Sequence, residues 1–156
     1  MSTVLTQTYK NILVGVDGSD QANLAYEQAI EVAKRNNGRV IVAHIIENKA
    51  YAMMGYSSLN DSLLDQETEN AKELLDDCKE YAKSVDFTQV ETVVTYGSAK
   101  DVMCQDLPKK YEVDLIMVGQ SGLNAVERLM IGSVSSYIIR HAPCDVLIVH
   151  PELNEK

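Results

Sequence analysis

Short apolar runs alternate with longer helical patterns along the chain, and this alternation restricts the fold more than any other feature. The runs are Ile12 to Val16, Val40 to Ile46, Thr88 to Thr95, Val113 to Val118 and Val146 to Val149. Strands joined through helices lie parallel in one sheet, with right-handed crossovers. Val40 to Ile46 is apolar on both faces apart from His44, as a central parallel strand must be. Thr88 to Thr95 alternates and reads as an outer strand. The expected class is therefore α/β: a doubly wound, five-stranded parallel sheet of order 3-2-1-4-5 with helices on both faces. The order reverses between strands 1 and 4, and a crevice opens there at the strands' C-terminal ends.

The helices carry their own signals. Ser19 is a candidate N-cap, Asp20 suits the first turn, and Ala22, Ala25, Tyr26, Ala29 and Ala33 repeat at helical spacing. Gly38 is expected in the left-handed position that ends this helix. Leu64, Thr68, Ala71, Leu75, Cys78, Ala82 and Val85 follow a 4-3-4-3-4-3 spacing. That is an amphipathic helix for packing on the sheet, a coiled coil being the weaker reading. Gly97-Ser98 opens a third helix that Pro108 interrupts or ends. Gly132-Ser133 opens a fourth, which runs to about His141 and stops before Pro143. Glu47 to Asn60 reads as a loop, either mobile at the surface or with its Tyr51, Met53, Met54 and Tyr56 cluster folded over a bound ligand or a partner.

Composition narrows the function. The 156 residues carry 14 Lys+Arg against 23 Asp+Glu, a net charge of −9, with 46% hydrophobic residues. One domain over residues 1–156 is expected, its core from about 9 to 150, burying roughly 68–70% of its unfolded surface. No Lys/Arg cluster offers a footprint for nucleic acid, so no such partner is expected. Cys78, Cys104 and Cys144 lie far apart, as small buried hydrophobes in a reducing cytosol would. Met1 to Lys10 lacks a signal-peptide apolar core, and no run approaches a membrane span, so a cytoplasmic protein is expected.

The chemistry gathers at the switch point. Strand 1 ends at Gly15-Val16-Asp17-Gly18 and strand 4 at Gly119-Gln120-Ser121-Gly122, while Gly132-Ser133-Val134-Ser135 starts the last helix. Of eight glycines in the chain, three fall between residues 119 and 132. Glycines permit close backbone approach, and a helix N-terminus offers unpaired N–H donors and a favourable dipole to a phosphate. The same residues also suit a plain βα turn and an N-cap, and spacing alone leaves both readings open. The pattern is neither GxxxxGK[ST] nor GxGxxG. No Ser–His–Asp order, paired carboxylate or metal-ligand spacing forms a catalytic set. Asp17 suits either a ligand contact or an Asx turn. His44 reads as a satisfied core histidine.

Gly119-Gln120-Ser121-Gly122, nine residues, then Gly132-Ser133 resembles the signature of the universal stress protein family, in its ATP-binding subgroup. Tyr9 to Ser19, Val42 to Ile46 and Val113 to Gly119 resemble the family's first, second and fourth strands, so the likeness covers about residues 9 to 150. The resemblance implies a Rossmann-like, adenine nucleotide alpha hydrolase-like fold that binds ATP with Mg²⁺ as a nucleotide-responsive stress protein. It implies that Asp17 contacts the ribose, and that Gly15, Val16, Ile45 and Val118 enclose the adenine. Gly119 and Gly122 close on ribose and phosphates, while Gly132, Ser133, Val134 and Ser135 hold the triphosphate. Mg²⁺ is held through the phosphates and Ser133 rather than by dedicated ligands. A homodimer through Val146, Leu147, Ile148 and Val149 is also implied, which would cover an exposed sheet edge. Ser121 stands where the family often carries His or Arg, which puts one charge contact to the phosphates in question. Two alternatives stand beside this reading: a nucleotide-free dimeric interaction protein, and a slow ATP hydrolase of the same fold.

Overall fold

The computed structural model describes residues 7–47, 57–120 and 131–151, with side chains from residue 63 onward in the second stretch. Strands β1 (Asn11–Gly15), β2 (Arg39–Ile46), β3 (Val90–Tyr96), β4 (Leu115–Gly119) and β5 (Asp145–Val149) form one sheet. Its order is β3-β2-β1-β4-β5, and all four pairings are parallel. Helices α1 (Asp20–Asn36) and α2 (Ser57–Ser84) cover one face. Helix α3 (Ala99–Asp101, then Val102–Asp106 and Leu107–Tyr111) and helix α4 (Ser133–His141) cover the other.

Period-two alternation sorts the central strands onto these faces. Ile12, Val14, Val40, Val42, Leu115 and Met117 pack with Ala25, Ala29 and Ile30 of α1 and Leu75, Cys78 and Ala82 of α2. Leu13, Ile41, Ala43, Ile116 and Val118 pack with Val102, Met103 and Leu107 of α3 and Ile138 of α4. Both faces of β1, β2 and β4 are therefore dry, which is why these strands read as unbroken apolar runs. Each fully buried aliphatic side chain contributes about 1.5–3 kcal/mol. The 4-3 stripe of α2 lies on this sheet, with Ala71, Leu75, Cys78 and Ala82 buried, so the helix packs as a layer rather than as a coiled coil. It begins at Ser57, so the expected loop from Glu47 is shorter; Tyr51, Met53, Met54 and Tyr56 lie outside the described residues.

Two expectations need correction. The left-handed residue that ends α1 is Asn37, at φ 53°, and not Gly38. Asn tolerates this region because its short polar side chain costs little there. Gly38 serves another purpose: a Cβ on it would stand 2.5 Å from the Tyr9 carbonyl, so only glycine lets the chain entering β1 pass the helix end. Pro108 does not end α3, but the α-helix is interrupted just before it. The helix loosens into a π-turn at Val102–Asp106, where the Leu107 N–H bonds the Val102 carbonyl five residues back. That extra residue makes room for a proline ring that would otherwise crowd the carbonyl four residues earlier. Helix α3 then continues to Tyr111 and stops where Glu112 turns left-handed at φ 50°.

A buried polar seam joins α1 to α2. The Tyr26 hydroxyl donates to the Cys78 carbonyl at 2.6 Å, and its ring meets Tyr81 edge-on with centroids 6.1 Å apart. Burial, and then the charge of Asp77, pushes the Cys78 thiol from about 9 up to about 11. Burial likewise pushes the Tyr26 hydroxyl up. Both groups give up protons more readily in the unfolded chain, so unfolding releases protons at high pH. The contribution of these two groups to stability should be level below about pH 9 and fall as pH rises from about 9 towards 11. Urea titrations at pH 8, 9.5 and 11 check this, and Tyr26→Phe should make the fall shallower; a level profile would contradict it.

Candidate functional site

The switch point lies between β1 and β4, and each strand end is built differently. Beyond β1, the Asp17 Oδ1 accepts the Ser19 N–H at 2.9 Å, closing an Asx turn. Gly18 takes φ 86°, a conformation that favours glycine. Ser19 is buried and caps α1, its hydroxyl accepting the Ala22 N–H at 3.2 Å. Asp17 itself is exposed, and its Oδ2 has no partner among the described residues. One carboxylate oxygen shapes the turn and the other is available to a ligand.

Beyond β4 the constraint is steric. A Cβ on Gly119 would lie 2.7 Å from the Gln21 carbonyl oxygen and 2.9 Å from its carbon. The end of β4 therefore packs directly on the first turn of α1, and this draws the two strand ends together. Gln120 follows, nearly buried at 8% exposure. Its carbonyl accepts the Gly132 N–H at 3.1 Å, and its side-chain oxygen accepts from His150 Nδ1 at 3.2 Å. The Ser135 hydroxyl donates to the Gly119 carbonyl at 3.1 Å. These two backbone ties anchor α4 to β4. Gly122 lies outside the described residues.

Helix α4 starts at this anchor without a side-chain cap. Its N-cap, Gly132, has φ −60° and ψ 159°, and its carbonyl accepts the Ser136 N–H at 2.9 Å. The N–H groups of Ser133, Val134 and Ser135 meet no acceptor among the described residues. Three donors thus stand at the positive end of a nine-residue helix, the arrangement that receives anions.

Sheet parity places the remaining residues. Gly15, Ile45 and Val118 share the face covered by α3 and α4: Ile45 and Val118 pack in that core, and a Gly15 Cβ would touch the Met103 side chain at 3.5 Å. Val16 points the other way and is 3% exposed in the opposite core. Only its backbone faces the crevice, and that backbone is already engaged. Its N–H donates to the Ala43 carbonyl at 2.8 Å, and its carbonyl receives His44 Nδ1 at 2.7 Å. Since a carbonyl only accepts, His44 carries its proton on Nδ1. His44 is thus satisfied, as expected, and it also clamps the end of β1. Sequence reasoning missed this clamp and the Gln120 tie, since both depend on partners remote in sequence. Among the described residues, no three His, Cys, Asp or Glu side chains gather closely enough to hold a metal. No helix among them is long and apolar enough to cross a membrane.

Residues 8–150 match the model of the universal stress protein family. The chain belongs to this family. Over 145 residues it is 44% identical to a curated universal stress protein of Staphylococcus haemolyticus, covering 93% of this chain and 87% of that one. Its fold is similar to that of the universal stress protein UspA from Lactobacillus plantarum, with a TM-score of 0.84 and 31% identity over 93% of this chain and all of that one. A universal stress protein solved in complex with cAMP is 27% identical, with a TM-score of 0.65 over 92% of this chain and 98% of that one.

The two glycines that begin the strand ends of this family member should respond oppositely to a methyl group. Gly119→Ala must push α1 away from β4 and should cost about 1–3 kcal/mol. Gly15→Ala meets a flexible methionine and the Ala43 carbonyl oxygen, both at ordinary contact distance, and should cost under about 1 kcal/mol. Thermal unfolding of the two variants beside the parent checks the difference; equal losses would contradict the steric account.

Proposed function

We propose that this universal stress protein binds ATP, with Mg²⁺, in the crevice at the C-terminal ends of β1 and β4, as a nucleotide-responsive regulator in the cytoplasm. The observation that carries the reading is the uncapped start of α4 at the switch point, whose Ser133, Val134 and Ser135 N–H groups meet no acceptor among the described residues. A phosphate chain satisfies such donors and gains from the helix dipole. The cAMP complex of a similar protein supports an adenine nucleotide as the ligand class. Gly15, Ile45 and Val118 would flank the adenine with the backbone of Val16, and Asp17 would accept from the ribose through its free oxygen. Gly119 and Gly122 would border the ribose and phosphates. Gly132, Ser133, Val134 and Ser135 would hold the triphosphate, with Mg²⁺ on the phosphates and the Ser133 hydroxyl. Bound Mg²⁺ would offset the repulsion between the triphosphate and a chain of net charge −9.

The edge position of β5 supports a homodimer through Val146, Leu147, Ile148 and Val149. Leu147 on this strand and Ile139 on α4 are exposed apolar side chains, 38% and 41% accessible. Pairing across the edge would cover them.

Thermal unfolding with Mg-ATP, and with Mg-GTP as the control, tests the ligand. At 100 times its dissociation constant a ligand stabilises by about 2.7 kcal/mol, a rise of roughly 5–10 °C for a chain of this size. The rise should occur with ATP and not with GTP. Gly132→Val suits the extended backbone at this position, so it should leave the unliganded melt unchanged and abolish the rise. An ATP-induced rise that survives this substitution would place the phosphates elsewhere.

A further inference from the structure

We infer that Lys100 reads the phosphate chain of the bound nucleotide, setting a preference for triphosphate over monophosphate; this rests on the nucleotide reading above. Lys100 is the second residue of α3, at the same C-terminal edge of the sheet as the start of α4 and on the same face. The two helix starts therefore flank the strip that carries Gly15, Ile45 and Val118. A cation in the first turn of a helix opposes the macrodipole, so this position is a poor one for lysine on local grounds. The neighbouring Ala99 N–H is taken by the Glu47 carboxylate at 3.0 Å, yet Lys100 makes no ion pair with Glu47 or with any other acid among the described residues. Its ammonium instead lies over the Tyr137 ring, 5.6 Å from the centroid.

Tyr137 ties that ammonium to the anion-receiving end of α4. It follows Ser133 by four residues, about 6 Å along the axis on the same side of the helix, and helical side chains lean towards the N-terminus. A lysine resting on this ring is half-buried and positively charged. It stands within a side-chain swing of any anion on the Ser133, Val134 and Ser135 N–H groups. A ring face leaves the ammonium's charge unneutralised, so a phosphate can draw it without displacing an acid. One more negative phosphate within reach of this ammonium means tighter binding, whereas a monophosphate satisfied by the α4 donors gains little.

Calorimetric titration of the full chain with Mg-ATP, Mg-ADP and AMP, for the parent, Lys100→Met and Lys100→Arg, tests the assignment. Methionine keeps a linear stem over Tyr137 and removes the charge. It should weaken Mg-ATP binding about tenfold, the size of one charge-assisted contact, and change AMP binding less than about twofold. Arginine should hold Mg-ATP within about threefold of the parent. Unliganded melts of the three proteins should coincide. An unchanged ATP-to-AMP affinity ratio in Lys100→Met would overturn the role of Lys100 while leaving the nucleotide site in place. A parent protein that melts cooperatively but binds none of the three nucleotides would overturn the nucleotide reading, and the role of Lys100 with it.

Discussion

The contact between the end of β4 and the first turn of α1 governs this molecule. With a hydrogen in place of a methyl group at Gly119, the strand end reaches within van der Waals distance of the Gln21 backbone. That approach brings the β1 and β4 ends side by side and lets Gln120 and Ser135 anchor α4 beside them. A glycine in a nucleotide signature is usually credited to the ligand's need for space. Here the same residue also satisfies a packing demand within the protein, so its loss disturbs the scaffold before any ligand arrives.

Electrostatics then distinguish one end of the sheet from the rest of an acidic surface. A net charge of −9 repels polyphosphates at long range, though salt screens much of this beyond about 8–10 Å. Local attraction must come from groups close to the ligand. The N–H donors of α4 that are open among the described residues would offer it to the proposed nucleotide without titrating, and they are pre-positioned by the Gly119 and Gln120 ties. Nothing comparable occupies the start of α1, where Ser19 caps the helix and Glu47 similarly occupies the first N–H of α3. Of the three helix starts with described side chains, the one at the switch point alone has all of its first three N–H groups unpaired among the described residues.

Much of this was legible in the sequence because burial writes directly into residue type. β1, β2 and β4 are apolar on both faces since both faces are covered, and the α2 stripe follows from packing on a sheet. The glycine pattern pointed to the ends of strands 1 and 4, which the observed sheet order places side by side. What stayed hidden depends on partners far along the chain. Pro108 reads locally as a helix breaker, and only the sheet-facing burial of Val102, Met103, Cys104 and Leu107 holds a π-turn that accommodates it. Gly38 looked like a C-cap because its clash with Tyr9 is invisible without the fold, while Asn37 took the left-handed turn. The Val16 backbone was expected to face a ligand. Its engagement by Ala43 and His44 narrows what it can still offer to one carbonyl lone pair.

If the open donors of α4 receive the phosphates of an adenine nucleotide, as proposed, their amides must sense its binding. Amide chemical-shift mapping by NMR, with Mg-ATP added to the isotopically labelled protein, addresses it residue by residue. The Ser133, Val134 and Ser135 amides should move most, with smaller shifts at Gly15, Asp17 and Val118. The three α4 amides staying in place, while shifts gather elsewhere or nowhere, would contradict the proposal.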